Sequence, residues 1–369
     1  MTAAPKPTSE ERVRVLVVDD SAVAREVLAT LLRRDGLDVD VTTSAETALQ
    51  RIQRSRPDVV VLDLHMPGMG GLELLERIMR DNPLPVVICS AIAQPGARAA
   101  IRALELGAID VIPKPKLGVR AMLDSSDVPV SHVVRGAATA KTRRLGVRAQ
   151  EPTLLAPTDK PAIRSIPWNG NAIAIGASTG GTEALRLILT QLPPDCPPVA
   201  VVQHMPGAFT PAFAQRLDSL CAVEVREARD GDLLSRGLAL IAPGGRQMEI
   251  VSSGGLLRVR VTPGPTVSGH CPSVDVLFRS ASRALGSRAV GVLLTGMGAD
   301  GAEGLLELRH DGAHTIAQDE TTSVVWGMPG EAVALGAATE VIALECIAPA
   351  MLAAAGRRAR VTLSSSLSS

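Results

Sequence analysis

Ser178, His204 and Asp300 are the residue types that nucleophilic acyl transfer requires, and each follows a short apolar run. Ser178 lies in Gly176-Ala177-Ser178-Thr179-Gly180-Gly181, where flanking glycines let the backbone turn sharply from a strand into a helix. The hydroxyl then projects from the turn beside free amide groups that could stabilise an oxyanion. In the chemistry this set implies, Ser178 attacks a carbonyl, His204 carries its proton and Asp300 orients the imidazole. His270 is a rival base, and Asp275 and Asp230 are rival orienting acids. Position at a strand end favours His204, and the glycine density of Thr295-Gly296-Met297-Gly298-Ala299-Asp300-Gly301 favours Asp300.

A second set of reactive groups lies upstream. Asp19, Asp20, Asp63, Ser90 and Lys114 each follow or end a β-branched run. In an open parallel sheet the loops beyond the carboxyl ends of the strands converge on one crevice. Three carboxylates there repel one another unless a cation joins them, and Mg²⁺ prefers such hard oxygen ligands. Asp63, alone on the central strand, is then the expected phosphoryl acceptor, with Lys114 and Ser90 contacting the phosphoryl oxygens.

Alternating strands and helices must position both sets. Val13 to Val18, Val39 to Thr43, Val59 to Leu62, Val86 to Ile88 and Ala108 to Ile112 read as strands separated by helical segments, so an α/β doubly wound parallel sheet is expected over 12–116. Alternation resumes at Ala172 to Ile175, Val199 to Val202, Leu238 to Ala242, Leu256 to Val261, Val290 to Leu294 and Thr315 to Ala317. Helices are expected over Thr182 to Gln191, Pro211 to Leu220, Ser273 to Leu285 and Gly301 to His310. This predicts a second α/β domain over 168–357 with a mainly parallel sheet. Between the two, 117–167 reads as a linker rich in Ala, Ser, Thr, Pro and Arg, and the Ser-rich 358–369 reads as a disordered tail.

Composition narrows the class. Lys plus Arg and Asp plus Glu number 38 each, and aromatic residues are about 1% with no tyrosine. Neither a general attraction to nucleic acid nor a base-stacking platform is expected. Five scattered cysteines without a Cys-x-x-Cys pair, no signal-peptide pattern and no membrane-length apolar run predict a reduced, cytoplasmic protein with no membrane insertion. The glycine loops lack the Gly-x-Gly-x-x-Gly spacing of dinucleotide binders and the Lys-Ser/Thr of a P-loop. The order Ser, His, Asp also differs from the Ser, Asp, His order of the α/β-hydrolase fold.

Two resemblances follow from these motifs. Val17-Val18-Asp19-Asp20-Ser21, Asp63-Leu64-His65-Met66-Pro67-Gly68-Met69 and Lys114-Pro115 resemble the flavodoxin-like receiver domain of response regulators. That resemblance implies phosphorylation of Asp63 by a histidine kinase. It also implies Mg²⁺ held by Asp20, Asp63 and the backbone carbonyl of His65, with Asp19 nearby. Receivers often carry Tyr or Phe where this chain has Val111, which sets a rotating aromatic switch in question.

The segments around Ser178 and Asp300, Gly176-Ala177-Ser178-Thr179-Gly180-Gly181 and Thr295-Gly296-Met297-Gly298-Ala299-Asp300-Gly301, together with Val202-Gln203-His204-Met205-Pro206, Pro272-Ser273-Val274-Asp275-Val276-Leu277-Phe278 and Gly327-Met328-Pro329, resemble the chemotaxis protein-glutamate methylesterase (CheB) family. The resemblance implies a catalytic triad of Ser178, His204 and Asp300, with backbone at Thr179 and Met297 near the reacting carbonyl. No cofactor is implied in that domain. The implied substrates are methylated glutamates on chemoreceptors, with glutamine deamidation as a second activity. The expected link between the two domains is that the first covers Ser178 until phosphorylation of Asp63 exposes it. The alternatives are a receiver-tethered binding module with an inactive esterase-like domain, and a nucleotide-dependent enzyme.

Overall fold

The computed structural model describes residues 12–91, 94–114, 130–140 and 170–356. The chain divides into two compact units, each built around one parallel sheet.

Residues 14–113 run β1 (Arg14–Val18), α1 (Ala22–Arg34), β2 (Asp38–Thr42), α2 (Ala45–Arg54), β3 (Val59–Asp63), α3 (Gly71–Asp81), β4 (Val86–Ser90), α4 (Gln94–Glu105) and β5 (Asp110–Pro113). Strand order is β2-β1-β3-β4-β5 with every pairing parallel. β3 and β4 are buried along their whole length, as continuous Val/Ile/Leu runs in a sheet covered on both faces must be. Ser21 and Ser44 cap α1 and α2 by accepting from the amides of Ala24 and Thr47.

One sequence expectation is corrected here. Part of the stretch read as a 117–167 linker is a helix, α5 (Val130–Ala138), which packs on α1 and on β3 to β5. Its buried side is made by Val130, Ser131, Val134, Gly136 and Ala137. Three valines in a nine-residue element give an apolar stripe only two turns long, too short to stand out from the polar stretch around it. Two hydrogen bonds dock it: Ser131 Oγ donates to Asp35 Oδ2 (2.6 Å), and Arg135 donates to the Asp35 carbonyl (2.5 Å). The Ser131 bond is also the main reason the Asp35 carboxyl is held below its ordinary range. The rest of 117–167, and the expected tail 358–369, lie outside the described residues.

The second unit runs β6 (Ala172–Ala177), α6 (Gly181–Leu189), β7 (Val199–Gln203), α7 (Thr210–Asp218), β8 (Glu224–Glu227), β9 (Leu238–Ile241), β10 (Gln247–Ser253), β11 (Leu256–Thr262), α8 (Val274–Leu285), β12 (Ala289–Leu293), α9 (Ala302–His310), β13 (His314–Gln318), α10 (Met328–Ala334), β14 (Glu340–Ile342) and α11 (Leu344–Gly356). Seven parallel strands follow the order β14-β13-β12-β6-β7-β9-β8. The stretch Leu256 to Val261, expected to join this sheet, instead pairs antiparallel with β10 as a separate hairpin. With so few aromatics, the core is aliphatic apart from Phe209, Phe213 and Phe278. Among the described residues no helix is long and apolar enough to cross a membrane.

Both sheets change winding direction once, and that is where reactive side chains gather. In the first unit, β1 and β3 are neighbours, so the residues ending them meet. In the second, β6 lies between β7 and β12, so the chain visits one side of β6 early and the other side late. The loops after three adjacent strands therefore share one crevice.

Candidate functional sites

Ser178 follows β6, His204 follows β7, and Asp300 lies in the loop between β12 and α9. Ser178 is fixed by its backbone. Its N–H donates to the Thr295 carbonyl (3.0 Å), and its carbonyl accepts from Gly181 N–H (2.7 Å) and from Gln203 Nε2 (2.9 Å). Gly180 closes this turn at φ +77°, a left-handed conformation, and a Cβ there would lie 2.6 Å from Val324 Cβ. The Ser178 side chain makes no hydrogen bond to His204, as is common before substrate aligns the pair.

His204 continues the sheet, donating its N–H to the Ala177 carbonyl (3.0 Å). Gln203 Nε2 also donates to the His204 carbonyl (3.1 Å), so one buried amide ties the serine turn to the histidine loop. His204 Nε2 lies 2.8 Å from Asp300 Oδ2. Because an ionised carboxylate only accepts, Nε2 carries the proton in the neutral ring, and the buried Nδ1 keeps its lone pair.

Asp300 is almost wholly buried and has four donors. Ser273 Oγ (2.7 Å) and Asp275 N–H (3.1 Å) donate to Oδ1; Val274 N–H (2.7 Å) and His204 Nε2 (2.8 Å) reach Oδ2. The carboxylate thus sits on the N-terminus of α8, where exposed amides and the helix dipole favour negative charge. Burial alone would push its pKa up. The His204 contact and the amide and hydroxyl bonds outweigh burial and hold the carboxyl below its ordinary value.

The rival acids separate cleanly. Asp275 is buried, accepts from Gly304 N–H (2.8 Å) and Ser268 Oγ (3.0 Å), and is pushed up by burial and by the nearby Asp300 charge. Asp230 is exposed and accepts from Val261 N–H (2.9 Å). Neither carboxyl bonds His204. The rival base His270 is buried against His204 itself, with ring centroids 3.7 Å apart and planes within 6°.

Thr179 is buried, and its carbonyl accepts from Thr295 Oγ1 (3.0 Å). A Cβ on Gly296 would lie 2.7 Å from Ser178 Cβ, so the peptide leading into Met297 passes directly over the serine. Sequence reasoning missed Ser273 and Gln203. Ser273 was visible as the Ser of Pro272-Ser273-Val274-Asp275, a helix-capping signature whose first turn turned out to serve Asp300. Gln203 had no signal beyond adjacency to His204.

In the first unit, Asp19, Asp20 and Asp63 offer ligand oxygens that all lie within 4.8 Å of one another. Asp19 and Asp63 are buried, whereas Asp20 is exposed. Lys114 Nζ lies 2.8 Å from Asp63 Oδ2 and 3.1 Å from Asp19 Oδ2. Burial pushes the Asp19 carboxyl up, and the Asp63 charge adds to it; bonds from Ser21 N–H and Lys114 only partly offset them. Burial would lower the Lys114 pKa, but bonds to Asp63 and Asp19 hold it above its usual value. Ser90 is buried at the end of β4, its carbonyl accepting from Lys114 N–H (2.7 Å). His65 donates its N–H to Asp63 Oδ1 (3.3 Å); its side chain is exposed and stands outside the acidic cluster. Val111 is buried within β5, paired opposite Ile88.

Comparison with known proteins places each unit in a family. Residues 173–351 match the family model for CheB methylesterase, and residues 15–123 match that for the response regulator receiver domain. A protein-glutamate methylesterase/protein-glutamine glutaminase of Anaeromyxobacter dehalogenans (strain 2CP-C) is 53% identical over 345 residues, covering 92% of this chain and 98% of its own. One from Geobacter metallireducens is 46% identical over 354 residues, covering 94% and 100% respectively. The solved CheB methylesterase catalytic domain of Thermotoga maritima is 35% identical, covers 50% of this chain and 98% of its own, and superposes with a TM-score of 0.49.

Proposed function

This chain belongs to the CheB family of protein-glutamate methylesterases and protein-glutamine glutaminases, and from that premise we propose how its residues divide the work. The reaction is hydrolysis of glutamate methyl esters on chemoreceptors, releasing methanol, and of glutamine side-chain amides, releasing ammonia. Ser178 Oγ attacks the side-chain carbonyl while His204 Nδ1 takes its proton. The resulting imidazolium is held by Asp300. Backbone N–H groups at Thr179 and Met297 receive the oxyanion. Collapse breaks the bond to methoxide or amide, which leaves with the proton from Nδ1. Water, deprotonated by the same nitrogen, then frees Ser178 and leaves a glutamate. The observation that carries this reading is the 2.8 Å contact between His204 Nε2 and a carboxylate already fixed by three other donors.

Asp63 is the phosphoryl acceptor, supplied by the histidine kinase of the same chemosensory system. Asp19, Asp20 and Asp63 are hard oxygen donors close enough to hold one divalent cation, with the His65 carbonyl completing the set. Mg²⁺ bound there would offset the charge of the incoming phosphoryl oxygens. Lys114, already on Asp63, and Ser90 receive those oxygens on the other side. Phosphorylation raises esterase activity, each tenfold rise needing about 1.4 kcal/mol of differential stabilisation. The enzyme works in the cytoplasm.

The test is methanol release from methylated chemoreceptors with and without acetyl phosphate and Mg²⁺. Ser178→Ala is expected to lower kcat on the order of 10⁶-fold without unfolding the chain. Asp63→Asn is expected to abolish the stimulation. Undiminished release by Ser178→Ala would sink the mechanism.

A further inference from the structure

His270 is unused in the mechanism above, yet its ring touches the proton-carrying ring. Two imidazoles lie face to face, 3.7 Å between centroids and 6° from parallel, both buried. So short a centroid separation leaves little lateral offset. Two neutral π-systems prefer an offset or an edge-to-face arrangement, because directly opposed faces carry like quadrupole charge. A cation over a neutral face is attracted to it. The stack is therefore better suited to the state in which one ring is charged.

The surroundings decide which ring that is. His204 has the carboxylate of Asp300 on Nε2, so the positive charge belongs on His204. His270 is held by its backbone. Val267 and His270 exchange N–H to carbonyl bonds of 2.9 Å, and the His270 carbonyl also accepts from Gln247 Nε2 (3.3 Å). Gln247 Oε1 in turn accepts from Ser273 N–H (2.8 Å), and Ser273 Oγ donates to Asp300 (2.7 Å). The contacts form a closed circuit, from His204 through Asp300, Ser273, Gln247 and His270 back to His204. One frame sets both the edge of the imidazole, through Asp300, and its face, through His270.

Resting on the esterase reading, we propose that His270 is a positioning residue. Its neutral ring fixes the plane of His204 and stabilises the imidazolium that forms when Ser178 gives up its proton. The contact strengthens as charge develops, so it acts on kcat more than on KM.

The experiment compares His270→Phe, His270→Gln and His270→Ala in the full chain, by methanol release from methylated receptor, with Ser178→Ala as the blank. Ala and Gln are expected to lose roughly 30-fold in kcat, the rate equivalent of a desolvated cation–π contact, with KM within about twofold. Phe, which keeps a π face without a titratable nitrogen, is expected to recover to within roughly threefold of wild type. If Ala unfolds, the Phe and Gln pair decides, since both fill the space and only one offers a ring. Gln matching Phe, Ala matching wild type, or a loss confined to KM would each overturn the proposal while leaving the esterase intact. A wild-type rate no higher than Ser178→Ala would overturn the esterase reading and this inference with it.

Discussion

The acidic cluster of the first unit and the buried acid of the second occupy the same place in their sheets, beyond the carboxyl ends of adjacent parallel strands, and their electrostatics are opposite. Asp19 and Asp63, with Asp20 beside them, share one ammonium, Lys114, and Asp19 is pushed up by burial and by Asp63. Asp300 has four donors to itself and is held down although it too is buried. Negative charge left unmatched suits a site that must receive a cation and a phosphoryl group. Charge matched in advance suits a site whose acid must stay ionised and still while another group moves a proton. Two copies of one architectural rule thus give a receptor for ligands and a preorganised catalyst.

The sharpest way to break this contrast is Asp300→Asn. The amide can accept through one atom only, and its NH₂ facing His204 favours the tautomer with the proton on Nδ1, where a lone pair is needed. A kcat loss on the order of 10⁴-fold is expected in the methanol assay. Retention of activity within tenfold would mean that the matched charge is not what the catalyst depends on.

Ser273→Ala probes the same matching more gently. It deletes one of four donors to Asp300 and the side-chain cap of α8 together. The expected loss is about 1–2 kcal/mol of stability in urea unfolding, with a kcat drop of roughly tenfold. A full loss of activity would show that the remaining amides of Val274 and Asp275 cannot hold the carboxylate.

How much of this was legible beforehand follows the same division. The acids, Ser90 and Lys114 were placed correctly because strand ends are read from short β-branched runs, and the sheet topology then forces them together. Ser178, His204 and Asp300 were legible for the same reason. What was not legible needed three dimensions. Helix α5 is only nine residues long, and it docks through a buried side on α1 and β3 to β5 and two polar bonds to Asp35, 96 and 100 residues away. The hairpin strand Leu256–Thr262 shows the alternation of a half-exposed strand, with Arg258 and Arg260 between buried Leu257, Val259 and Val261, but nothing local says which sheet it joins. His270 was noticed as a titratable group near a motif. Its spacing to His204, 66 positions in the chain, could not show that the two rings lie face to face.

The smallest expected effect tests the comparison through stability. Asp19 has its folded pKa raised above the ordinary 3.8, so the folded state holds a proton more tightly than the unfolded chain. Its contribution is most favourable below 3.8 and declines as pH rises through the raised folded value, leaving a cost at neutral pH. Asp300 is the reverse: its folded pKa lies below 3.8, so its contribution is present above 3.8 and is lost as pH falls through the folded value. Asp19→Asn should therefore stabilise the first unit at pH 7 in EDTA, on the order of 1 kcal/mol, and by less near pH 3. Asp300→Asn should destabilise the second unit at pH 7 and by less at the same low pH. Urea unfolding at both pH values, followed by probes in each unit, reads the two signs side by side. Excess Mg²⁺ should narrow the Asp19→Asn advantage, because a cation that binds the wild-type cluster stabilises only the chain that has it. An Asp19→Asn chain less stable than wild type without divalent cation would show that Lys114 alone neutralises the cluster, and the contrast between the two sites would then fail at its first term.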